Sequence, residues 1–202
     1  MRVVSLFLLL LLLYRPVLAQ QEAAPPGTFR IDSIPANGLT LRLPWCWHAG
    51  DNPAWASPDF NDSRWDTIRP DQYITKLPQV REAEIGWLRL AFSVDSALTN
   101  RPLAFSVQQV VASEIYLDGH LLHRFGRVSR QSDQEQTRRT TPVENVYFVL
   151  QRAGTHQLAV RISHTRQNRH FPMPLPGASP VFGLRIMEPA LFVNQGFLIK
   201  PV

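Results

Sequence analysis

From Leu39 onward the apolar positions recur every second residue rather than every third or fourth, which is the spacing of strands and not of amphipathic helices. Residues 39–43, 87–94, 103–107 and 157–162 alternate cleanly, and 146–150 is a denser apolar run. Residues 112–117 and 120–125 flank Asp118-Gly119. That pair favours a two-residue hairpin turn, in which both central residues take positive φ. A last strand is expected over 182–187. No stretch carries a capped amphipathic helix; residues 58–65 hold at most one helical turn, and no internal repeat is present. Many short strands parted by Gly, Pro, Asn and Asp predict an all-β, antiparallel jelly-roll sandwich.

The pattern breaks at both ends and in two internal segments. Arg2 precedes an apolar run over 3–13, broken only by Ser5 and ended by Arg15 and Pro16. The run is short of the ~20 residues that span a bilayer. Val17-Leu18-Ala19 supplies small residues where a signal peptidase cuts, so residues 1–19 read as a signal peptide of an exported protein rather than as an uncleaved anchor. No cysteine stands at the cleavage point to carry a lipid. Residues 20–38 are expected to be a flexible leader, 39–188 the sandwich, and 189–202 a C-terminal linker. The expected location is periplasmic or extracellular. Inside the sandwich, 126–142 and 163–180 are long, polar and arginine-bearing, and loops of that length are either functional or disordered.

Composition adds little. The formal charge of +5 includes Arg2 and Arg15, leaving +3 after cleavage, too mild for a nucleic-acid partner. The single cysteine, Cys46, sits among Leu43, Pro44, Trp45 and Trp47 and is expected to be a small buried hydrophobe. With no disulfide to close, stability must come from packing.

The stretch Trp47-His48-Ala49-Gly50-Asp51-Asn52-Pro53-Ala54-Trp55, followed by Asp62-Ser63-Arg64-Trp65, resembles the start of the galactose-binding-like jelly roll. The same opening occurs in the sugar-binding domain of family 2 glycoside hydrolases. Gly86-Trp87-Leu88-Arg89 resembles the strand that follows there, and Glu114-Ile115-Tyr116-Leu117-Asp118-Gly119 with Phe125-Gly126 resembles its hairpin, with Asp118 where Asn is commoner. The likeness extends to the N-terminal periplasmic domain of Bacteroidota-type sensor histidine kinases and seven-transmembrane receptors. It covers about residues 39–187 and implies an extracytoplasmic sensor or ligand-binding domain of a signalling receptor. The chain carries no kinase motif, so a truncated frame, an excised domain and a stand-alone relative are all open. The alternatives are a carbohydrate-binding accessory module of a secreted glycoside hydrolase and a protein-interaction domain without a small ligand.

Several residues are candidates for function. Tryptophan faces stack on sugar rings but also fill cores. Trp65 and Trp87 are expected in the core, while Trp55, between Pro53 and Pro58, is the candidate for an exposed platform. Guanidinium groups grip carboxylate or sulfate through paired hydrogen bonds, so Arg127, Arg130, Arg166, Arg169 and His170, with Trp55, form the candidate surface for a glycan or anionic small ligand. Receptor segments or a partner protein are the other expected partners. Asp51, Asp59 and Asp62 are weak calcium candidates, falling short of the 6–8 oxygens calcium takes. Glycosidase chemistry needs two carboxyl groups across a cleft. Glu82, Glu84, Glu114 and Glu144 lie in no acid/base motif, and no nucleophile elbow, zinc motif or phosphate loop is present. The expectation is a non-catalytic chain without a cofactor.

Overall fold

The computed structural model describes residues 28–140, 144–164, 180–189 and 200–201. It is an all-β sandwich. The strands are β1 (Phe29–Ile31), β2 (Leu39–Thr40), β3 (Trp45–Ala49), β4 (Asp66–Ile68), β5 (Ile85–Val94), β6 (Pro102–Gln109), β7 (Ala112–Leu117), β8 (His120–Phe125), β9 (Asn145–Val149), β10 (Gly154–Ser163), β11 (Phe182–Met187) and β12 (Lys200–Pro201). The larger sheet runs β4-β3-β5-β10-β7-β8, with β1 pairing in parallel along β5 beyond the point where β3 stops. The smaller sheet runs β12-β9-β6-β11-β2. One short helix, α1 (Pro78–Glu82), starts on the proline that suits a first helical position. No helix among the described residues is long and apolar enough to cross a membrane.

The alternation seen in the sequence sets the core. Leu88, Leu90, Phe92 and Val94 of β5, Leu158, Val160 and Ile162 of β10, and Ile115 and Leu117 of β7 face the second sheet. There they meet Leu103, Phe105 and Val107 of β6, Val146 and Phe148 of β9, and Phe182, Leu184 and Ile186 of β11. Phe105 stacks on Phe148 with centroids 4.2 Å apart, and the edge contact of Trp45 with Phe182 joins the two sheets at 5.9 Å.

The hairpin forms as its sequence requires. Asp118 and Gly119 take φ of 49° and 82°, the positive pair of a type I′ turn. Asp118 secures it, accepting the Gln157 N–H at 2.8 Å and contacting the buried His156 ring at 2.6 Å.

Two expectations change. The span 20–38, expected as a flexible leader, contains β1, whose Phe29 and Ile31 lie in register with Phe92 and Val94. Three residues are too few for alternation to register in the sequence. The long segment 126–142 is tied down where it is described. Arg127 and Gln136 exchange backbone hydrogen bonds of 2.9 and 3.0 Å, and Thr140 Oγ1 donates to the Val107 carbonyl at 2.6 Å. The Gln109 side chain donates to the Val111 and Arg138 carbonyls, and Ser163 Oγ donates to Glu135 at 2.8 Å. Side chains of this polar stretch, those of Glu135 and Thr140, bond to the sandwich, and the sandwich side chain of Gln109 bonds to its backbone. The second long segment, 163–180, lies outside the described residues over 165–179.

Candidate functional site

An antiparallel sheet ordinarily buries one face and leaves the other to water. β5 departs from this: nine of its ten residues are buried, so both of its faces are covered. The cover on the outer face is the connection between β3 and β4, residues 50–65, which crosses the sheet as a strap. It leaves β3 with the Gly50 N–H on the Ile85 carbonyl. A 3-10 turn follows (Pro53–Ala56), capped by the Asn52 side chain, which accepts the Ala54 N–H at 3.0 Å. Ala56 is buried against Trp87 and Ala159, and beyond it the strap runs beside Gly119 of the hairpin.

Two outward-facing arginines hold the strap. Arg89 of β5 is 1% exposed. Its Nε donates to Asp62 at 2.7 Å, and its terminal nitrogens donate to the carbonyls of Trp55, of Ser57 at 3.0 Å and of Phe60 at 3.2 Å. The Phe60 ring lies against the guanidinium, 5.5 Å from its carbon. Arg161 of β10 grips Asp51 through two bonds of 2.8 and 2.7 Å and donates to Glu114 of β7 at 3.0 Å. Glu114 also accepts the Tyr116 hydroxyl at 2.9 Å and Arg124 Nε at 3.1 Å. Paired guanidinium–carboxylate bonds of this kind fix geometry as well as adding energy.

The network sets the charge states. The Arg161 hydrogen bonds hold the Asp51 carboxyl below the usual carboxylate range, against the effect of burial. The Trp87 indole N–H, buried without a hydrogen bond of good geometry, faces Asp51 and, with the more distant charge of Arg130, helps to lower it. Burial pushes the Glu114 carboxyl up, but the bonds from Arg161, Tyr116 and Arg124 outweigh it, and the net effect is a lowering. The Tyr116 hydroxyl, half-buried and bonded to Glu114, is pushed up to about 12.

Held in this way, the strap presents aromatic side chains. Trp55 and Trp65 are half-buried and meet edge to face at 5.2 Å. Trp55 also stands on the fully buried Trp87 at 6.3 Å, and Phe60 closes the side at 6.4 Å from Trp55 and 5.6 Å from Trp65. His48, exposed on the outer face of β3, packs against Trp55 at 4.8 Å and Trp65 at 5.2 Å. The result is a wedge of two indoles with an imidazole at its edge.

Of the sequence candidates, Trp55 is central to this wedge. Arg127 and Arg130 are exposed, and Arg130 lies on the Asp51 side. Arg166, Arg169 and His170 lie outside the described residues. The calcium candidates are corrected: the oxygens of Asp51 and Asp62 face guanidinium groups, which stand where a cation would, and Asp59 is exposed at a turn. No group of His, Cys, Asp and Glu among the described residues is arranged to hold a metal ion. Trp87 is buried as expected, though on the outer face rather than between the sheets, and Trp65 is only half-buried. Cys46 is half-buried on the same outer face, with Asp62 and Arg89 close enough to act on its thiol, which burial pushes up.

Arg89, Arg161 and His48 were not among the sequence candidates. The sequence marks each as a charged or polar residue at the outward position of an otherwise apolar strand, but alternation alone gives such a position to water and does not say what it holds.

No protein-family model matches the chain, and no curated protein does. Solved structures do. The chain is similar to a β-glycosidase from Bacteroides vulgatus, with 19% identity over 75% of this chain and 20% of that one, and a TM-score of 0.50. A family 2 glycosyl hydrolase from Bacteroides cellulosilyticus matches at 16% identity over 74% of this chain and 20% of that one, TM-score 0.46. A Bacteroides uniformis β-glucuronidase matches at 14% identity over 74% and 18%, TM-score 0.45. The chain thus spans about a fifth of the length of these proteins, and the likeness is one of fold.

Proposed function

We propose that the chain is an exported, non-catalytic jelly-roll module that binds a carbohydrate on the strap side of its larger sheet. The observation that carries this reading is the wedge of Trp55 and Trp65, half-exposed yet fixed from below by Trp87 and by the arginine-held strap. An indole held in place offers a flat apolar surface to the CH groups of a sugar ring at little cost in conformational freedom. The fold likeness to about a fifth of a β-glycosidase is in keeping with an accessory module of a larger sugar-processing protein.

The absence of chemistry in the reading rests on the carboxylates. Asp51 gives both oxygens to Arg161, and Glu114 divides its oxygens among Arg161, Tyr116 and Arg124, so neither is free to act as acid or nucleophile. Exposed Arg127 and Arg130 favour an acidic sugar over a neutral one. Export rests on the N-terminal sequence alone. A sensing role at the head of a membrane receptor rests on the sequence resemblance alone and stands second.

The test is a glycan array followed by titration calorimetry on the chain from residue 20. Binding to at least one glycan is expected, with Trp55→Ala weakening it by about tenfold or more, the scale of a lost stacking contact of ~1.5 kcal/mol. A silent array, or a bound glycan indifferent to both Trp55→Ala and Trp65→Ala, would overturn the reading.

A further inference from the structure

His48 lies opposite Trp87 in the β3–β5 register, on the outer face at the edge of the wedge. Its ring packs against both indoles, against Trp55 at an interplanar angle of 63° and against Trp65 at 42°, and the three rings form a triangle with sides of 4.8, 5.2 and 5.2 Å. Gly50 keeps that arrangement open. At φ of 125°, a Cβ there would stand 3.1 Å from the Trp55 ring and 3.9 Å from His48 Nδ1. The imidazole is nonetheless exposed, and its interactions among the described residues are ring contacts alone, with no hydrogen bond at either nitrogen.

The combination is informative. Here two indoles pack against the ring and restrict its rotation, which keeps its nitrogens beside the aromatic wedge. A neutral imidazole carries one N–H donor and one nitrogen acceptor. A sugar hydroxyl both gives and accepts a hydrogen bond. A polar group fixed in advance binds without the ordering cost that a mobile side chain incurs.

We propose that His48 is a ligand-binding residue that hydrogen-bonds a ring hydroxyl of a pyranose stacked on the Trp55–Trp65 wedge, and so sets which sugar stereoisomer is accepted. The inference rests on the sugar-binding reading and adds its specificity element. Stacking alone tolerates any ring with an apolar face. Selection between stereoisomers requires a directional group, because a site built to hydrogen-bond a hydroxyl rejects a sugar that lacks it there.

The experiment uses the chain from residue 20 and the methyl glycosides of glucose, galactose, mannose and glucuronic acid, read by tryptophan fluorescence and calorimetry. Four proteins are compared: the parent, Trp55→Ala, His48→Phe and His48→Gln. The parent is expected to rank the four glycosides. His48→Phe keeps the ring packing and loses the nitrogens, so it should bind the preferred glycoside about tenfold more weakly and flatten the ranking. His48→Gln keeps a donor and an acceptor, and should stay within about threefold of the parent. If His48→Phe keeps the parent's affinities and ranking while Trp55→Ala loses binding, the role of His48 is overturned and sugar binding stands. Equal losses in His48→Phe and His48→Gln would also overturn it, pointing to packing of the ring instead. If the parent binds none of the four, the role proposed for His48 is overturned, whereas the glycan array decides the sugar-binding reading itself.

Discussion

The two faces of the larger sheet are covered by different chemistry. Inward, Leu88, Leu90, Phe92 and Val94 of β5 meet the phenylalanines of the smaller sheet, and nothing directional is needed. Outward, the same strand presents Trp87 and Arg89 to a strap that two arginines hold by named hydrogen bonds. Apolar burial is non-directional and scales with area, so the inner face supplies stability and tolerates small shifts. Charge-assisted bonds fix distances and angles, so the outer face supplies position. A surface meant to hold Trp55 and His48 at set angles needs the second kind of support.

That contrast has consequences that can be measured. The largest effect belongs to the inner face. Phe148→Ala, at a fully buried position stacked on Phe105, is expected to cost about 3–5 kcal/mol. In urea, far-UV circular dichroism and tryptophan fluorescence should report that loss as one shared transition. Arg89→Met should come next, at about 2–4 kcal/mol, because it leaves Asp62 and three strap carbonyls without their donor. Here fluorescence should change before the circular dichroism does, since the strap comes away while the sandwich persists. Coincident transitions in this variant would erase the proposed distinction between the faces.

Asp51→Asn sharpens the contrast at smaller scale, with about 1–2 kcal/mol expected for a partly exposed pair. Acid should act on the same bonds in the unaltered protein. Asp51, Glu114 and Asp118 all have folded-state carboxyls below their ordinary values. Their contribution is therefore complete above the unfolded carboxylate range near ~4, and is lost as pH falls through the lowered values. Strap fluorescence should respond in that acid window, while the inner face, which does not titrate, responds only on global unfolding. A strap signal flat to acid would contradict this. Smallest of all, Tyr73→Ser should stay within about 0.5 kcal/mol, because that ring is exposed.

The sequence made the inner face legible and the outer face largely not. Residues 112–117, 120–125 and 182–187 become β7, β8 and β11 with the expected bounds, and 87–94 falls within β5. Alternation over several residues carries that information, and Asp118-Gly119 fixes the turn. Residues 39–43 reach only two residues of strand in β2, because the pairing with β11 ends after the Leu41 N–H bonds to the Leu184 carbonyl and Arg42 turns back onto the Thr40 carbonyl. β3 was hidden by its composition: Trp45, Cys46 and Trp47 form an unbroken apolar stretch, although Trp45 and Trp47 face the core and Cys46 and His48 face out. Residues 58–65, read as holding at most one helical turn, hold none; a 3-10 turn lies just before them at Pro53–Ala56, where Asn52 supplies the cap. The wedge itself was half-visible. Trp55 stood out between prolines, whereas the dependence of the strap on Arg89 and Arg161 joins positions far apart in sequence, which no local pattern encodes.

Arg89 holds the strap chiefly by its main-chain oxygens, those of Trp55, Ser57 and Phe60. A main-chain oxygen is the same whatever side chain it accompanies. Ala54, Asp59, Ser63 and Arg64 are exposed along this path and are therefore free to be exchanged without redirecting it. The strap is a segment whose course is inherited from the sheet beneath it and whose outward character is open to variation. Diversifying those four positions on an unchanged Asp51, Asp62, Arg89 and Arg161 would give a family of binding surfaces on one frame, in the way that hypervariable loops are carried on a constant scaffold.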